Sequence, residues 1–467
     1  MNTPSSIFAR LWTSSVAWSW AGNGLRVAAG VLLLPLVLRL LPRPELGMYY
    51  LFLSLGAAVM MVDFGFSGAL WRAVSLAFAG GRELQAQGLP EPPPAGTPPN
   101  RTLLWQVIHT ARALYRWLAL GALVLLGAGG TFFVNRRVHE TADPALTWLA
   151  WAVTLAAAVW EIYFSWWSYV LSALNQVLAF ARINFLAALC KLALAIVLLL
   201  CGAGLLAVPI ATLVAGLLQR HLARRACLRE LGPVPATLGA DTAVILTKLW
   251  PNSWRQGLVV TSGYLAGHAG TFLCFEIFGL AATARYGLSM QIMSILSVMA
   301  VVWTQVKWPV IGQHCARGDF AAVRRVLRPR VWLQLGTFLL MAAVAVPLAG
   351  PLLKWIGSNK EVLPAAWLAL LALNALLESH YAIWEVMLST GNRIPVVWPV
   401  VITTAASLTL MVVLIRHTGL ELGALVLAPL VMGGVFNYWY WPLAGARSVG
   451  TGWRGFMFGR DNQPGPR

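Results

Sequence analysis

Ionisable side chains occur within stretches of this sequence that are otherwise almost entirely apolar. Carboxylates in such positions can take up and release a proton or a sodium ion, and guanidinium or ammonium groups can pair with anions. A charge at the centre of a bilayer costs about 2.5–3.5 kcal/mol, so these residues usually face a bundle interior or a water-filled cavity. They are Arg26, Asp63, Glu161, Lys191, Arg255, Glu276, Glu378 and Glu385, with His268 and His380 as further titratable groups.

The composition indicates that these stretches lie in a membrane. The chain has 467 residues, of which 59% are hydrophobic and 11% are charged, whereas a soluble protein has about 25% charged residues. A water-soluble enzyme is therefore excluded. A crossing needs about 20 apolar residues, and the pattern is not the alternation of a barrel, so the crossings are helices. About twelve crossings are predicted by this rule, near 14–40, 46–79, 111–134, 145–172, 178–201, 204–225, 250–280, 281–307, 329–350, 362–389, 394–415 and 420–443.

The distribution of basic residues predicts the orientation. The net charge of +18 would suggest nucleic acid in a soluble protein, but here it indicates cytoplasmic loops. Basic clusters follow the second, sixth and eighth spans and fill the tail, and the cluster after the sixth span is Arg220, Arg224, Arg225 and Arg229. Both termini are therefore predicted to be cytoplasmic, and no nucleic-acid partner is expected.

An internal repeat predicts the architecture. Trp160–Gln176 aligns with Leu377–Arg393 at an offset of 217, which pairs Glu161 with Glu378, and Asn23-x-x-Arg26 aligns with Asn252-x-x-Arg255. Six spans separate the copies, so we predict two parallel six-helix pseudo-repeats around a central cavity, as in transporters. The predicted parts are an N-terminal lobe at 1–225 with a cytoplasmic Pro-rich loop at 82–110, a linker at 226–249, a C-terminal lobe at 250–443 and a tail at 444–467.

Several short motifs resemble a known superfamily. They are Leu46-Gly-Met-Tyr49, Asp63-Phe-Gly65 followed by Arg72, and Pro309 followed by Gly318-Asp319. Together with the length and the twelve-span layout, they resemble the multidrug/oligosaccharidyl-lipid/polysaccharide exporter (MOP) superfamily, and within it the Wzx-type polysaccharide or O-antigen flippases. The resemblance covers Ser14 to Leu443 and implies the MATE/MOP-like fold. The Pro-rich stretch Pro90–Pro99 departs from the family's usual shorter loop.

The resemblance also implies a function. The protein would move an oligosaccharide linked to undecaprenyl diphosphate from the cytoplasmic to the periplasmic leaflet of the bacterial inner membrane, for O-antigen, capsule or exopolysaccharide synthesis. Its partners would be that lipid-linked substrate, membrane lipids and the polymerase or ligase machinery. No catalytic residue, cofactor or metal is expected, because the sequence has no phosphate-binding glycine loop and no metal-ligand spacing.

The intramembrane residues receive two predicted roles. Arg26, Arg255 and Lys191 are predicted to bind an anionic diphosphate, while Trp160 and Trp384 are predicted to stack on sugars. Glu378, Glu385, Glu161 and Asp63 are predicted to couple transport to a proton or sodium ion. Structural roles remain open for each: salt bridges for the charged residues, packing for the tryptophans, and a helix-end contact for Asp63.

Three other functions remain open. A drug or small-molecule exporter of the same superfamily would favour net negative charge in its cavity if the drugs are cations. A membrane glycosyltransferase or polysaccharide polymerase would typically need a large outside loop or an acidic pair near an interface, and neither is visible. A scaffold without transport activity would not need repeated charges within the membrane.

Overall fold

The computed structural model describes residues 14–85, 97–235, 242–389 and 396–459, and these residues form helices and connections without a strand. The predicted all-α fold class is confirmed. The chain folds into two compact units, Met1–Tyr264 and Leu265–Arg467. Most of the Pro-rich stretch at 90–99 lies outside the described residues.

The N-terminal unit is a bundle of long helices. They are α1 (Ser15–Leu40), α2 (Arg43–Ala57), α3 (Val59–Asp63), α4 (Phe66–Phe78), α5 (Arg101–Arg137), α6 (Pro144–Ala173), α7 (Val177–Leu200), α8 (Ala207–Leu231) and the first part of α9 (Thr242–Gln305). Short 3-10 turns at Val138–Glu140 and Gly204–Leu206 lie between these helices. Three of the helices begin with a side-chain cap, in which Ser14 accepts from the amide of Ala17, Asn100 from that of Leu103 and Asp143 from that of Leu146.

The C-terminal unit contains the second part of α9 and the helices that follow it. These are α10 (Trp308–Ala316), α11 (Phe320–Trp355), α12 (Ala365–Ser389), α13 (Val397–His417), α14 (Gly423–Val435), α15 (Asn437–Ser448) and α16 (Trp453–Phe458). Its core is formed by buried side chains that include Phe338, Met411 and Leu425.

Ten helices within the described residues are long and apolar enough to cross a membrane. One of them, α9, has 64 residues and is kinked at Gly279, where φ is 83°. A helix rises 1.5 Å per residue, so the parts of α9 before and after the kink, 242–278 and 280–305, are about 56 and about 39 Å long, and each can cross a hydrocarbon core about 30 Å thick. The kink coincides with the boundary between the predicted spans at 250–280 and 281–307. The protein is a multi-pass membrane protein.

The break between α3 and α4 is built from left-handed residues. Phe64 and Gly65 have φ values of 46° and 75°. A Cβ atom on Gly65 would lie 2.7 Å from the carbonyl oxygen of Ser253 on α9, so only glycine fits there without strain. The chain therefore ends α3, turns against the start of α9 and begins α4 within a few residues.

The segment after α15 is fastened to α11. The guanidinium of Arg324 donates to the carbonyl oxygen of Val449 at 2.5 Å, and the indole of Trp332 donates to that of Met457 at 3.0 Å. Between them, Arg328 donates to the carbonyl oxygens of Gly455 and Phe456. Three side chains spaced one helical turn apart on α11 therefore bind the backbone of residues 449–457.

Candidate functional site

The N-terminal unit contains a cavity of about 300 Å³ bounded by α6, α7 and α8. Its polar lining consists of Trp160, Glu161, Asn184, Lys191, Thr212, Gln219 and Arg220. At 1.5 Å per residue, Glu161, Lys191 and Arg220 lie about 16–21 Å along their helices from the ends at Ala173, Val177 and Leu231. Each of these residues therefore lies well inside its helix rather than at an end.

Small residues allow these three helices to approach one another. Ala157 on α6, Ala187 on α7 and Ala215 on α8 are buried and line the cavity. On α8, Thr212, Gly216 and Arg220 are spaced by four residues and therefore share one face of the helix. The packing thus leaves space for the polar side chains between the helix backbones.

Arg220 is held by two contacts with α6. Its Nη1 donates to Ser168 Oγ at 2.6 Å, and its Nη2 lies 3.6 Å from Glu161 Oε1. The Arg220 side chain is 8% exposed, whereas that of Glu161 is 50% exposed. Glu161 therefore neutralises a buried guanidinium while its carboxylate remains open to the cavity.

Three donors of this cavity have no acceptor among the described residues. The Nε of Arg220 and the Nε1 of Trp160 are buried without a hydrogen-bond partner. The ammonium of Lys191 likewise has no hydrogen bond and no ion pair with the residues that the structure describes. Asn184 and Gln219, by contrast, satisfy each other, since Gln219 Nε2 donates to Asn184 Oδ1 at 2.6 Å.

A second cavity of about 220 Å³ adjoins the first. Both are lined by Ala157, Glu161, Lys191 and Thr212. The remaining walls of the second cavity are mostly apolar and come from α2, α6 and α8. Glu161 and Lys191 therefore lie where a polar and an apolar space meet.

The C-terminal unit has its own cavity of about 400 Å³, between the second part of α9, α11 and α12. Glu378 lines it, and its Oε1 accepts from Asn374 Nδ2 at 3.0 Å. Asn374 Oδ1 in turn accepts from the hydroxyl of Tyr438 at 2.6 Å. This chain of hydrogen bonds ties the carboxylate of α12 to α15.

A second network crosses the same cavity. The hydroxyl of Thr304 donates to Gln334 Oε1 at 2.5 Å, and Gln334 Nε2 donates to Ser379 Oγ at 2.7 Å. Gln334 is buried, so its amide is satisfied on both sides by neighbouring helices. The cavity walls are mostly apolar, with Glu378 as their carboxylate and polar groups from Thr304, Gln334 and Ser379.

The structure places the other predicted residues of α12 away from this cavity lining. Glu385 is part-buried two helical turns beyond Glu378. Trp384 is completely buried, packs edge-on against Phe456 and donates to His380 Nε2 at 3.2 Å. These contacts are those of a core side chain, so packing explains the position of Trp384 better than the predicted sugar contact.

Asp63 lies at the break between α3 and α4. Its Oδ1 accepts from the hydroxyl of Tyr115 at 2.6 Å, and its Oδ2 accepts from the amide of Ser67 at 3.1 Å. Both oxygens are therefore engaged in holding the helix junction. This is the helix-end role that the sequence left open, and ion coupling by Asp63 stays a prediction.

The two predicted arginines of spans one and seven occupy different surroundings. Arg255 on α9 is part-buried, with its guanidinium 5.4 Å from the ring centroid of Trp254. Arg26 lies on α1, but its side chain is outside the part of the chain that the structure describes. Their predicted pairing around one anion therefore stays a prediction.

Sequence reasoning assigned Arg220 to a cytoplasmic basic loop, and this assignment is wrong. The side chain is buried within the bundle and pairs with Glu161. The available signal was the spacing Thr212–Gly216–Arg220, which puts Arg220 on the small-residue face of the helix. Gln334 and Asn374 were also missed, because single amides in apolar helices have no distinctive spacing.

Comparisons with known proteins show the fold. No protein-family model matches the sequence, and no curated protein is similar to it. The structure is similar to an inward-facing multidrug resistance MATE family transporter of the MOP superfamily, with a TM-score of 0.66, 13% identity, and coverage of 92% of this chain and 94% of that one. For an outward-facing transporter of the same description the TM-score is 0.60, with 14% identity and coverage of 94% and 97%.

A MATE transporter from Vibrio cholerae gives a TM-score of 0.55, 18% identity, and coverage of 94% of this chain and 98% of that one. The chain therefore has the MATE transporter fold along nearly its whole length. These similar structures are transporters rather than enzymes.

Proposed function

We propose that this protein is a transporter that exports amphipathic small molecules across the membrane. The observation that carries the proposal is the match to multidrug MATE transporters over more than nine-tenths of both chains. The two cavities lined by charged residues support it, because ionisable residues within membrane-spanning segments commonly mark substrate and ion pathways. Alternating access of the two units would move the substrate.

The residues suggest different tasks for the two units. The C-terminal cavity has Glu378 as its carboxylate, which suits uptake and release of a proton or sodium ion. The N-terminal cavity combines Lys191 and Arg220 with Trp160, which suits contact with a polar or anionic part of the substrate. Ion coupling would then operate in one unit and substrate contact in the other.

The test is transport by the purified protein in liposomes. We expect a proton or sodium gradient to drive accumulation of some members of a panel of cationic, neutral and anionic fluorescent amphiphiles. Glu378→Gln should abolish the dependence on the gradient, whereas Glu421→Gln, at an exposed loop position, should not. If no member of the panel moves, drug export is refuted.

A second candidate is the flippase for lipid-linked oligosaccharides, which the surplus positive charge of the N-terminal cavity favours. The substrate would carry an undecaprenyl diphosphate. The protein would then act in O-antigen, capsule or exopolysaccharide synthesis, with the polymerase or ligase as its partners. Cells lacking the protein should then accumulate an undecaprenyl-diphosphate oligosaccharide facing the cytoplasm, identified by mass. Intact surface polysaccharide without accumulation would count against this candidate in a cell with no second flippase.

The same proposal includes the location. We propose that either candidate acts in the bacterial inner membrane, and the basic loops favour cytoplasmic termini. Cysteine labelling from each side of the membrane tests the orientation, using a new cysteine at the exposed Asn359, on the predicted outside, and one at the exposed Arg454, on the predicted cytoplasmic side. A membrane glycosyltransferase receives less support, since the similar structures are transporters.

A further inference from the structure

We infer that the N-terminal cavity between α6, α7 and α8 is a binding site for an oxyanion, a phosphate or carboxylate group. The groups without partners there are all donors: Lys191 Nζ, Arg220 Nε and Trp160 Nε1. A ligand that satisfies these three donors must supply several acceptor atoms. Oxyanions do so. A cation supplies no acceptor atom, and an ammonium headgroup supplies further donors or no hydrogen-bonding group at all.

The charge balance points the same way. Lys191 and Arg220 carry two positive charges, and Glu161 is the one carboxylate among the lining residues of the two adjoining cavities. One positive charge therefore remains without a counter-ion inside the helix bundle. Water could complete the hydrogen bonds, but it would not neutralise that charge, which is costly in a buried position.

The neighbouring helices place no further carboxylate in the lining of the two cavities. Helix α1 packs against α7, and its sequence from Ser15 to Leu40 contains no Asp or Glu. Asp63 is bound to Tyr115 and Ser67, and Glu45 accepts from the amide of Ala142. The surplus positive charge is therefore a property of the whole surroundings of the cavity.

Size and shape allow two sources for the oxyanion. The polar cavity of about 300 Å³ exceeds the space that one buried water requires. The adjoining cavity, with Phe52, Leu53 and Pro209 in its walls, could hold an apolar tail while the head contacts Lys191. The oxyanion is thus either a free anion or the head of an amphiphile, and in the second case the inference rests on the proposed transport.

The test is calorimetric titration of the purified protein in dodecyl maltoside, a detergent without phosphate. The probes are hexyl phosphate, inorganic phosphate and hexyltrimethylammonium. We expect hexyl phosphate to bind and hexyltrimethylammonium not to bind. Hexyl phosphate binding more tightly than inorganic phosphate assigns the site to an amphiphile head, and equal binding assigns it to a free anion.

Two variants with matched controls locate the binding. Lys191→Met keeps the length of the side chain and removes its charge, so it should weaken hexyl phosphate binding about tenfold or more. Trp160→Phe keeps a ring and removes one donor, so it should weaken binding severalfold. Lys354→Met and Trp105→Phe are the controls, because Lys354 is exposed in the other unit and Trp105 has an unpartnered indole away from the cavity lining.

Unchanged binding in both cavity variants would overturn the inference, as would binding of the ammonium probe that strengthens in Lys191→Met. If Lys191→Met fails to fold, Trp160→Phe alone decides, because it leaves all charges in place. The titration needs no gradient and no liposome. Binding without transport would therefore leave the oxyanion site standing and refute the proposed function, and transport without binding would do the reverse.

Discussion

Replacing Glu161 by glutamine should destabilise the N-terminal unit, because it removes the counter-charge of Arg220. The guanidinium is 8% exposed and stays buried in the variant, while the carboxylate that it loses is 50% exposed. Breaking a fully buried pair costs about 3–5 kcal/mol, and an exposed pair contributes about 0–1 kcal/mol. The half-exposed geometry lies between these limits, so we expect a loss of about 2 kcal/mol.

Two buried thiols provide the assay. Cys227 in the N-terminal unit and Cys274 in the C-terminal unit are free and buried, so a thiol-reactive dye reports the exposure of each during heating in detergent when the other four cysteines are replaced by alanine. A change of 1 kcal/mol shifts the melting temperature of a unit of this size by about 2–4 °C. Glu161→Gln should therefore lower the melting temperature read at Cys227 by about 4–8 °C.

A companion variant is expected to change the melting temperature in the opposite direction, which makes the reasoning refutable. Lys191→Met removes the surplus charge, so it should raise the same melting temperature, and it should offset part of the loss when combined with Glu161→Gln. The cysteine at 274 should report little change in any of the three proteins. A melting temperature that rises in Glu161→Gln, or falls in Lys191→Met as far as in Glu161→Gln, would contradict the charge balance described for the cavity.

Three further outcomes are expected. Tyr115→Phe removes the donor to the buried carboxylate of Asp63 and should cost about 1.5–3 kcal/mol, measured as a lower melting temperature with unchanged helix content. Gly65→Ala places an alanine in the left-handed region, with its Cβ 2.7 Å from a carbonyl oxygen of α9, so it should destabilise the protein by more than about 1–2 kcal/mol. The control Gly68→Ala has open space around the added Cβ. It should be neutral or stabilising in the same thermal melt. Glu378→Gln should leave solute binding intact in a titration but remove the effect of an imposed proton or sodium gradient on transport; an unaltered gradient dependence would assign coupling elsewhere.

Hydropathy was sufficient to predict the crossings, because burial in lipid demands long apolar helices wherever they occur. Even the kink at Gly279 falls at a predicted boundary between two spans. The tight turn at Phe64–Gly65 was visible as a motif, but its cause was not. The clash partner is a carbonyl of Ser253, far away in the sequence, and no local pattern identifies it.

The cavity in the N-terminal unit was only half predictable. Glu161 and Lys191 stand out as charges within apolar stretches, whereas Arg220 precedes a run of arginines and resembles an interfacial residue. Its burial depends on which face of α8 meets α6, which packing decides. Trp384 shows the converse, since a deep tryptophan in the sequence suggests a ligand contact, and the structure surrounds it with Phe456 and the backbone of Gly445.

The bonds between α11 and residues 449–457 have a consequence for the timing of synthesis. The donors on Arg324 and Trp332 and their acceptors are separated by 125 residues in the chain. At about 5–20 residues per second, the acceptors are made about 6–25 s after α11. The first part of α11 is therefore inserted before the acceptors of its donors exist. A pause of the ribosome anywhere in that interval would hold the C-terminal unit in a state without these hydrogen bonds.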